Sequence, residues 1–506
     1  MDSRRLSKLR VRVPTQHQGR SRSIARAMAQ ERMVNAQGGV CSTDGRGRKR
    51  PIGGKGLAWL YDKEGMTKRF RPWDPKQKWL LPPEITEFIP EGHPAHFVRD
   101  LVVEELDLTA ILDSYVEDKG YPPFHPAMMT GLLLYAYTQG VFSSRKIAKA
   151  CIERMDFAAV TGFQKPDFRT INLFRKRHLG ALGGLFQQVL VLCRQAGLVA
   201  LGHVALDGTK VKANANKHKA MSYDRMVKAE NEFAEIVKGW LDQAEITDLG
   251  EDYRFRNRQG GELPAWVANK AERMKKIREA KAALECEAVE KAKEDQANSK
   301  KQTKKRDSDD DPPPPPVPEP KAQRNFTDPE SRIMPTKNGF EQCFNAQAGV
   351  DAKAQVIVAC DVVNTSADCP QLLGMVDLIR ANLGRKPKTC SADAGYCSEA
   401  NLAGMAARRI RAYIATGRQK HGTKAATHAK NGKPGSLIAA MRDRLKRGGW
   451  RSPYRLRKQV VEPVFGQIKQ AMGFRQFLLR GLAKVRAEWQ LVCLAHNLRK
   501  LMSATA

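Results

Sequence analysis

What the sequence lacks narrows the field first. Its ten cysteines include no CxxC pair. That spacing suits neither a zinc site nor a disulfide-stapled secreted scaffold, so the thiols read as reduced, mostly buried side chains of a cytoplasmic protein. No apolar core follows the basic start of the chain, as a secretory leader would need. No run suits a membrane span. Residues 126–142 are about the minimum length but contain Gln139 and two glycines, and residues 185–206 carry Gln187, Gln188, Arg194 and Gln195. Both read as buried helices of a soluble domain. Acidic residues are scarce, 54 Asp and Glu against 87 Lys and Arg, which leaves a net charge of +33. The excess is spread along the chain and not gathered on one amphipathic helix. It therefore calls for a polyanionic partner, nucleic acid before membrane.

What is present divides the 506 residues into blocks. Residues 1–55 read as a disordered basic arm, with thirteen Lys and Arg against three Asp and Glu in the first fifty positions. Residues 70–200 read as a helical DNA-binding domain. Pro126 opens a helix that Gly140 stops, Ser143 or Ser144 caps a second, and Thr170 caps a third. The third ends in Arg175, Lys176, Arg177 and His178, and the short helices with tight turns have the form of a helix-turn-helix unit. Two long charged helices are expected at 223–242 and 266–293. Their thin apolar stripes suit pairing with each other or a place on the surface. They belong to an insertion over 226–324 that ends in a charged run and five consecutive prolines, an extended spacer. Strand-like runs at 343–351 and 355–363 predict a hairpin. A helix at 370–383 is capped by Ser366 or Asp368, a strand follows at 388–393, and residues 417–449 read as a basic loop. The fold class is thus α/β, with one domain split between 201–225 and 325–502.

Three acids give this domain a chemistry. In GHVALDGT, 202–209, a short apolar strand delivers Asp207, and Gly208 reads as the break after it. A second strand ends at Asp393 in KTCSADAGY. Glu462 lies beside the helical stripe Val461, Phe465, Ile468 and Met472, with Lys469 on its own side seven residues on. Pro463 implies that this helix starts or kinks near Glu462. Carboxylates from three separate elements suit two divalent ions and phosphoryl transfer. Asp351, Asp361 and Asp368 also follow strand-like runs. Asp368 reads as a helix cap and Asp351 as a turn residue.

With LDGTKVKANANKHKAMSY around Asp207, ADAGY at 392–396 and VEPVFGQIK at 461–469, the sequence resembles the DDE transposases of bacterial insertion sequences. The resemblance implies a ribonuclease H-like mixed sheet flanked by helices, with Asp207, Asp393 and Glu462 as catalytic and metal-binding residues. It implies two Mg2+ ions, with Mn2+ as a substitute. Tyr454, Arg457 and Lys469 match in type the family's third-acid signature. Tyr454 and Arg457 each stand one residue early, and Lys458 occupies the usual basic position. Tyr396 would lie near the second acid. These residues, with Arg175 and Arg177, would contact DNA. The implied reaction is hydrolysis at the terminal inverted repeats, followed by attack of the freed 3'-hydroxyl on target DNA. It would take place in a homodimer or larger assembly, in the cytoplasm and on the nucleoid, with no membrane involved. A nuclease that only hydrolyses, or a DNA-binding protein on the same fold, are the competing readings.

Overall fold

Gly208 does not end the strand that carries Asp207. In the computed structural model β1 runs His203–Lys212, and Gly208 sits directly opposite Gln347 in an antiparallel ladder. Glycine is used there for space. A Cβ would run into Gln347 Nε2 and lie 2.7 Å from Asp368 Oδ1.

The structure describes residues 41–43, 49–51, 85–115, 123–252, 265–300, 316–337, 339–418, 428–429 and 435–505. The chain falls into two units, 1–82 and 83–506. In the first, Cys41–Thr43 pairs antiparallel with Lys49–Pro51, within the segment expected to be disordered. The rest of that arm, and most of the Pro-rich spacer, lie outside the described residues.

The second unit opens with helices: α1 Pro94–Glu104, α2 Pro126–Thr138, α3 Ser144–Glu153, α4 Met155–Thr161, α5 Phe168–Arg177 and α6 Leu179–Gln195. α2 is apolar on every side and buried from Met129 to Tyr137. Pro126 stands in its first turn, where proline's missing N–H costs nothing. α5 starts two residues before the expected cap. Asp167, not Thr170, accepts from Arg169 N at 2.8 Å. The α3 sequence stops at Glu153, and α4 is a separate helix.

Six strands form the central sheet. β1 lies antiparallel to β3, and the other five are β2 Arg332–Thr336, β3 Gly339–Asp351, β4 Ile357–Val363, β5 Thr389–Ala392 and β6 Arg411–Ile414. β1 is parallel to β5, and β5 to β6. β3 is long enough to pair with β2 along its first half and β4 along its second, both antiparallel. The result is a mixed sheet flanked by helices, with β1 in its middle.

The strand period of two decides which face each β1 residue serves. Leu206 points toward α9, Gln371–Leu383, where Gly349 leaves room for it and for Ile379. Asp207 therefore faces the other way, toward α12, Leu456–Gly466. α13, Leu482–Thr505, crosses the sheet and also packs on α6 and α2, so helices and sheet share one core.

The insertion is a hairpin of α7, Tyr223–Asp252, and α8, Ala265–Lys300. It carries its own small core of Met226, Met274, Ile277, Ala280 and Leu284. Glu230 accepts from Arg278 at 3.0 Å and Lys281 at 2.7 Å. Its two ends are held together where Ala220–Ser222 pairs with Gln323–Asn325.

Two local readings needed tertiary information. The region expected to be a basic loop contains α11, Leu437–Gly448. Its first amides are satisfied partly by Ser436 and partly by Glu399, the first residue of α10 (Glu399–Ala407), which accepts from Leu437 N at 3.0 Å and Ile438 N at 3.1 Å. Pro463 lies inside α12, which begins seven residues earlier at Leu456. A residue at 463 with an N–H would bond Gln459 O. The freed carbonyl instead accepts from Gln355 Nε2 at 3.0 Å. A π-helical turn, Gln467–Ala471, follows. Among the described residues, no helix is long and apolar enough to cross a membrane.

Candidate active site

Asp207, Asp393 and Glu462 reach one corner of the sheet from three elements. Asp207 comes from the middle of β1. Asp393 directly follows β5, the parallel neighbour, and caps a short 3-10 turn by accepting from Gly395 N at 2.9 Å. Glu462 stands on α12 with its side chain half exposed. Its neighbours Val461, Phe465, Ile468 and Met472 are all buried, as the stripe predicted.

Arg457 joins two of these acids. Its Nη1 donates to Asp207 Oδ2 at 2.8 Å, and its Nη2 lies 3.7 Å from Glu462 Oε1. Arg457 is 8% exposed and its Nε has no hydrogen-bond partner. Tyr454, half-buried, has its hydroxyl raised above the usual phenol range, first by burial, with Arg457 opposing. Burial is also the main cause that pushes Asp207 up to about 6. Arg457 opposes it, and the nearby charge of Asp393 adds to it. Asp393 is raised as well, again chiefly by burial. Two carboxylates whose charged form is penalised by burial thus stand beside a buried cation that offsets part of that cost.

A fourth acid completes the corner from the opposite side of β1. Asp368 caps no helix. The residue before α9 is Pro370, without a side-chain cap. Asp368 Oδ1 accepts from Asn345 Nδ2 at 2.7 Å and Gln347 Nε2 at 2.8 Å, and lies 3.6 Å from Lys210 Nζ. Gly395 separates it from Asp393. A Cβ at that glycine would stand 3.0 Å from Asp393 Oδ1 and 3.4 Å from Asp368 Oδ2. The sequence signal was Asn345 and Gln347, two amides two positions apart in the otherwise apolar stretch from Cys343 to Val350.

The remaining residues singled out by sequence fall into three settings. Lys469 is partly buried and turned back onto β1, donating to Thr209 Oγ1 at 2.5 Å and Lys210 O at 2.9 Å. Desolvation lowers its pKa. Tyr396 is fully buried under the corner and its hydroxyl donates to Gln347 Oε1. Arg175 is also buried, donating to Phe142 O at 3.0 Å and Asn172 Oδ1 at 3.2 Å. Neither presents a surface to a duplex. Lys458 and Arg177 are exposed. Arg177 lies over the Tyr115 ring at 4.9 Å. Asp351 serves its turn, accepting from Leu201 N at 2.7 Å and Lys353 N at 2.9 Å. Asp361 pairs with Arg486 at 2.9 Å.

Among the described residues no group of three or more His, Cys, Asp or Glu is gathered tightly enough to hold an ion. The spacing agrees with Arg457 standing between Asp207 and Glu462. The donor set nevertheless fits a hard divalent cation. It offers carboxylate oxygens from three elements around a place already taken by the Arg457 guanidinium.

Two family models match the chain. Residues 414–502 match the Transposase DDE domain, a segment that runs from the end of β6 through α13 and includes Arg457, Glu462 and Lys469. Residues 83–177 match the Transposase domain (DUF772), which spans α1 to α5. No curated protein and no solved structure matches.

Proposed function

We propose that the chain, as both matched transposase family models indicate, is a DDE-type transposase of insertion sequences, which binds the terminal inverted repeats of its element, cleaves them by metal-dependent hydrolysis and joins the freed 3'-hydroxyl ends to target DNA. The observation that carries this reading is the meeting of Asp207 and Glu462 at one guanidinium, with Asp393 beside them. The mixed sheet with Asp207 on its middle strand supports a ribonuclease H-like catalytic domain.

In this reading Asp207, Asp393 and Glu462 would hold two Mg2+ ions, or Mn2+ in their place, and the ions would supply activation of the attacking oxygen and charge stabilisation of the leaving one. The chain's own residues supply position and charge. β1 holds Asp207 rigidly, because its ladder with β3 runs from Val204 to Lys212, three residues before that position and five after it. Asp368, tied to Asn345 and Gln347, fixes the Gly395 turn and with it Asp393. Arg457, which now bonds Asp207, would be a donor for a DNA phosphate once that carboxylate is engaged elsewhere. Lys469 spends two of its three N–H groups on β1 and keeps the third for the backbone. Exposed Lys458 and Arg177 add phosphate contacts. Assembly of at least two copies on paired ends completes the reaction.

The test is incubation of the purified chain with Mg2+ or Mn2+ and DNA carrying the ends of its element, beside Asp207→Asn and Glu462→Gln. End cleavage with joining to new DNA, lost in both variants, supports the proposal. Cleavage without joining indicates a nuclease, and cleavage retained by Asp207→Asn overturns the assignment of the acids.

A further inference from the structure

A second basic feature lies beyond the acid corner, at the far end of β1. A cleft of about 590 Å³ opens between the loop that leaves β1 and the segment after the π turn. Lys212, Lys217, His218, Lys219, Gln476 and Arg480 line it. Glu341 also lines it, and that acid pairs with Lys212 at 3.2 Å. Among the described residues, Lys217, Lys219 and Arg480 have no carboxylate within ion-pair distance. Three cations of like sign around one opening repel each other until an anion enters.

The walls are built in advance. Arg480 Nε donates to Asn214 O at 2.9 Å, Asn214 Nδ2 to Leu478 O at 2.8 Å, and Gln476 Nε2 to Ala213 O at 3.0 Å. The turn that presents Lys217, His218 and Lys219 is fixed by Asn216, whose side chain accepts from His218 N at 3.0 Å. The opening is far larger than one phosphate needs. Lys210 pairs with Asp368 at the corner, Lys212 follows it on the same face of β1, and the cleft lies past Lys212.

We propose that this cleft grips the phosphodiester backbone of the DNA strand leaving the acid corner. The proposal rests on the transposase reading and deepens it by naming where the flanking strand runs. Five residues of strand separate Asp207 from Lys212, about 17 Å at roughly 3.4 Å per residue. A duplex lying along β1 advances about 3.4 Å per nucleotide. The gripped phosphates are then about five nucleotides from the scissile bond.

Two measurements on the full chain test this. The first is the salt dependence of binding to element-end DNA for the wild type and for Lys217→Ala, Lys219→Ala, Arg480→Ala combined. The expected result is a salt slope smaller by about 2–3 in the triple variant, each cation contributing about one. Lys217→Arg with Lys219→Arg keeps the wild-type slope, which separates charge from folding. The second is photo-crosslinking from a reactive group in place of His218, expected to mark nucleotides about four to six from the cut on one strand. An unchanged slope, or crosslinks only beyond one helical turn from the cut, overturns the proposal. Asp207→Asn, run alongside, loses cleavage and keeps the slope. A chain whose slope responds but which never cleaves retains the DNA cleft and loses the transposition reading instead.

Discussion

Arg457 Nη1 bonds Asp207 Oδ2 at 2.8 Å across 250 positions of sequence, tying α12 to the middle strand of the sheet. Both side chains are largely withdrawn from water. Removing one partner of such a pair leaves the other charge buried alone. We expect Arg457→Ala to destabilise the fold by about 3 kcal/mol, and Arg457→Ala with Asp207→Asn to cost clearly less than the sum of the two single changes. Urea denaturation of the four proteins checks this, and additive losses would show that the pair is not coupled.

Gly140 is a second junction. It ends α2 with φ +72°, and a Cβ there would stand 2.5 Å from Met472 O, just past the π turn that follows α12. Both the left-handed backbone and the contact penalise a side chain. Gly140→Ala is expected to lose about 2–3 kcal/mol. Cleavage should suffer more than DNA binding, because the displaced backbone leads back to Lys469 and Glu462. Equal losses in both assays would place the damage elsewhere.

Gly208 makes a related case inside the site. Gly208→Ala forces Gln347 and Asp368 to move, and with them the turn that presents Asp393. We expect the thermal midpoint to fall by a few degrees, on the order of 1 kcal/mol of stability, while end cleavage drops at least roughly tenfold, the equivalent of a 1.4 kcal/mol higher barrier. A variant as active as the wild type would show that Asp368 has no hold on the corner.

Two buried groups away from the site give opposite pH signatures. Glu488 accepts from Leu478 N and Leu479 N, and burial pushes it up to about 7 from 4.5. Its folded form binds a proton that the unfolded form has released. Its contribution is therefore full below pH 4.5 and lost as pH rises through 7. His496, bonded to Gln355 O at 3.0 Å, is lowered by burial from 6.5 to about 4. Its contribution is full above pH 6.5 and lost as pH falls through 4. Each is worth at most about 3 kcal/mol. Relative to the wild type, Glu488→Gln should gain stability from pH 5 to 8 and His496→Gln should gain it from pH 7 to 4. Urea midpoints across that range decide both, and parallel curves would mean that neither group titrates as its burial implies.

The sequence was most readable where a local rule was sufficient. The period of two in β3 and β4, Pro126 and Gly140 around α2, and the apolar stripe of α12 each announce an element without outside help. It was least readable where the partner lay far along the chain. Glu399 caps α11 from 38 residues away, and Gln355 satisfies the carbonyl that Pro463 frees from 104 away. At the site, three acids could be named from strand ends and a helix. Gly208 looked like a terminator because its neighbour Gln347 is 139 positions distant in sequence. Asp368 looked like a cap because the amides that bind it lie on another strand. Arg175 and Tyr396 looked like surface contacts because the packing that buries them is tertiary.

The strand pair Ala220–Ser222 with Gln323–Asn325 brings the two ends of the helical insertion face to face. Ser222 is the register partner of Gln323, so everything between them is topologically a single very long hairpin loop. The α7–α8 hairpin therefore behaves as a cassette. A two-residue turn joining Ser222 to Gln323 closes the same ladder, leaves the core of Met226, Met274, Ile277, Ala280 and Leu284 as the main loss, and keeps the acid corner intact. The chain can accept, shed or exchange material at this port without redrawing the sheet that carries its chemistry.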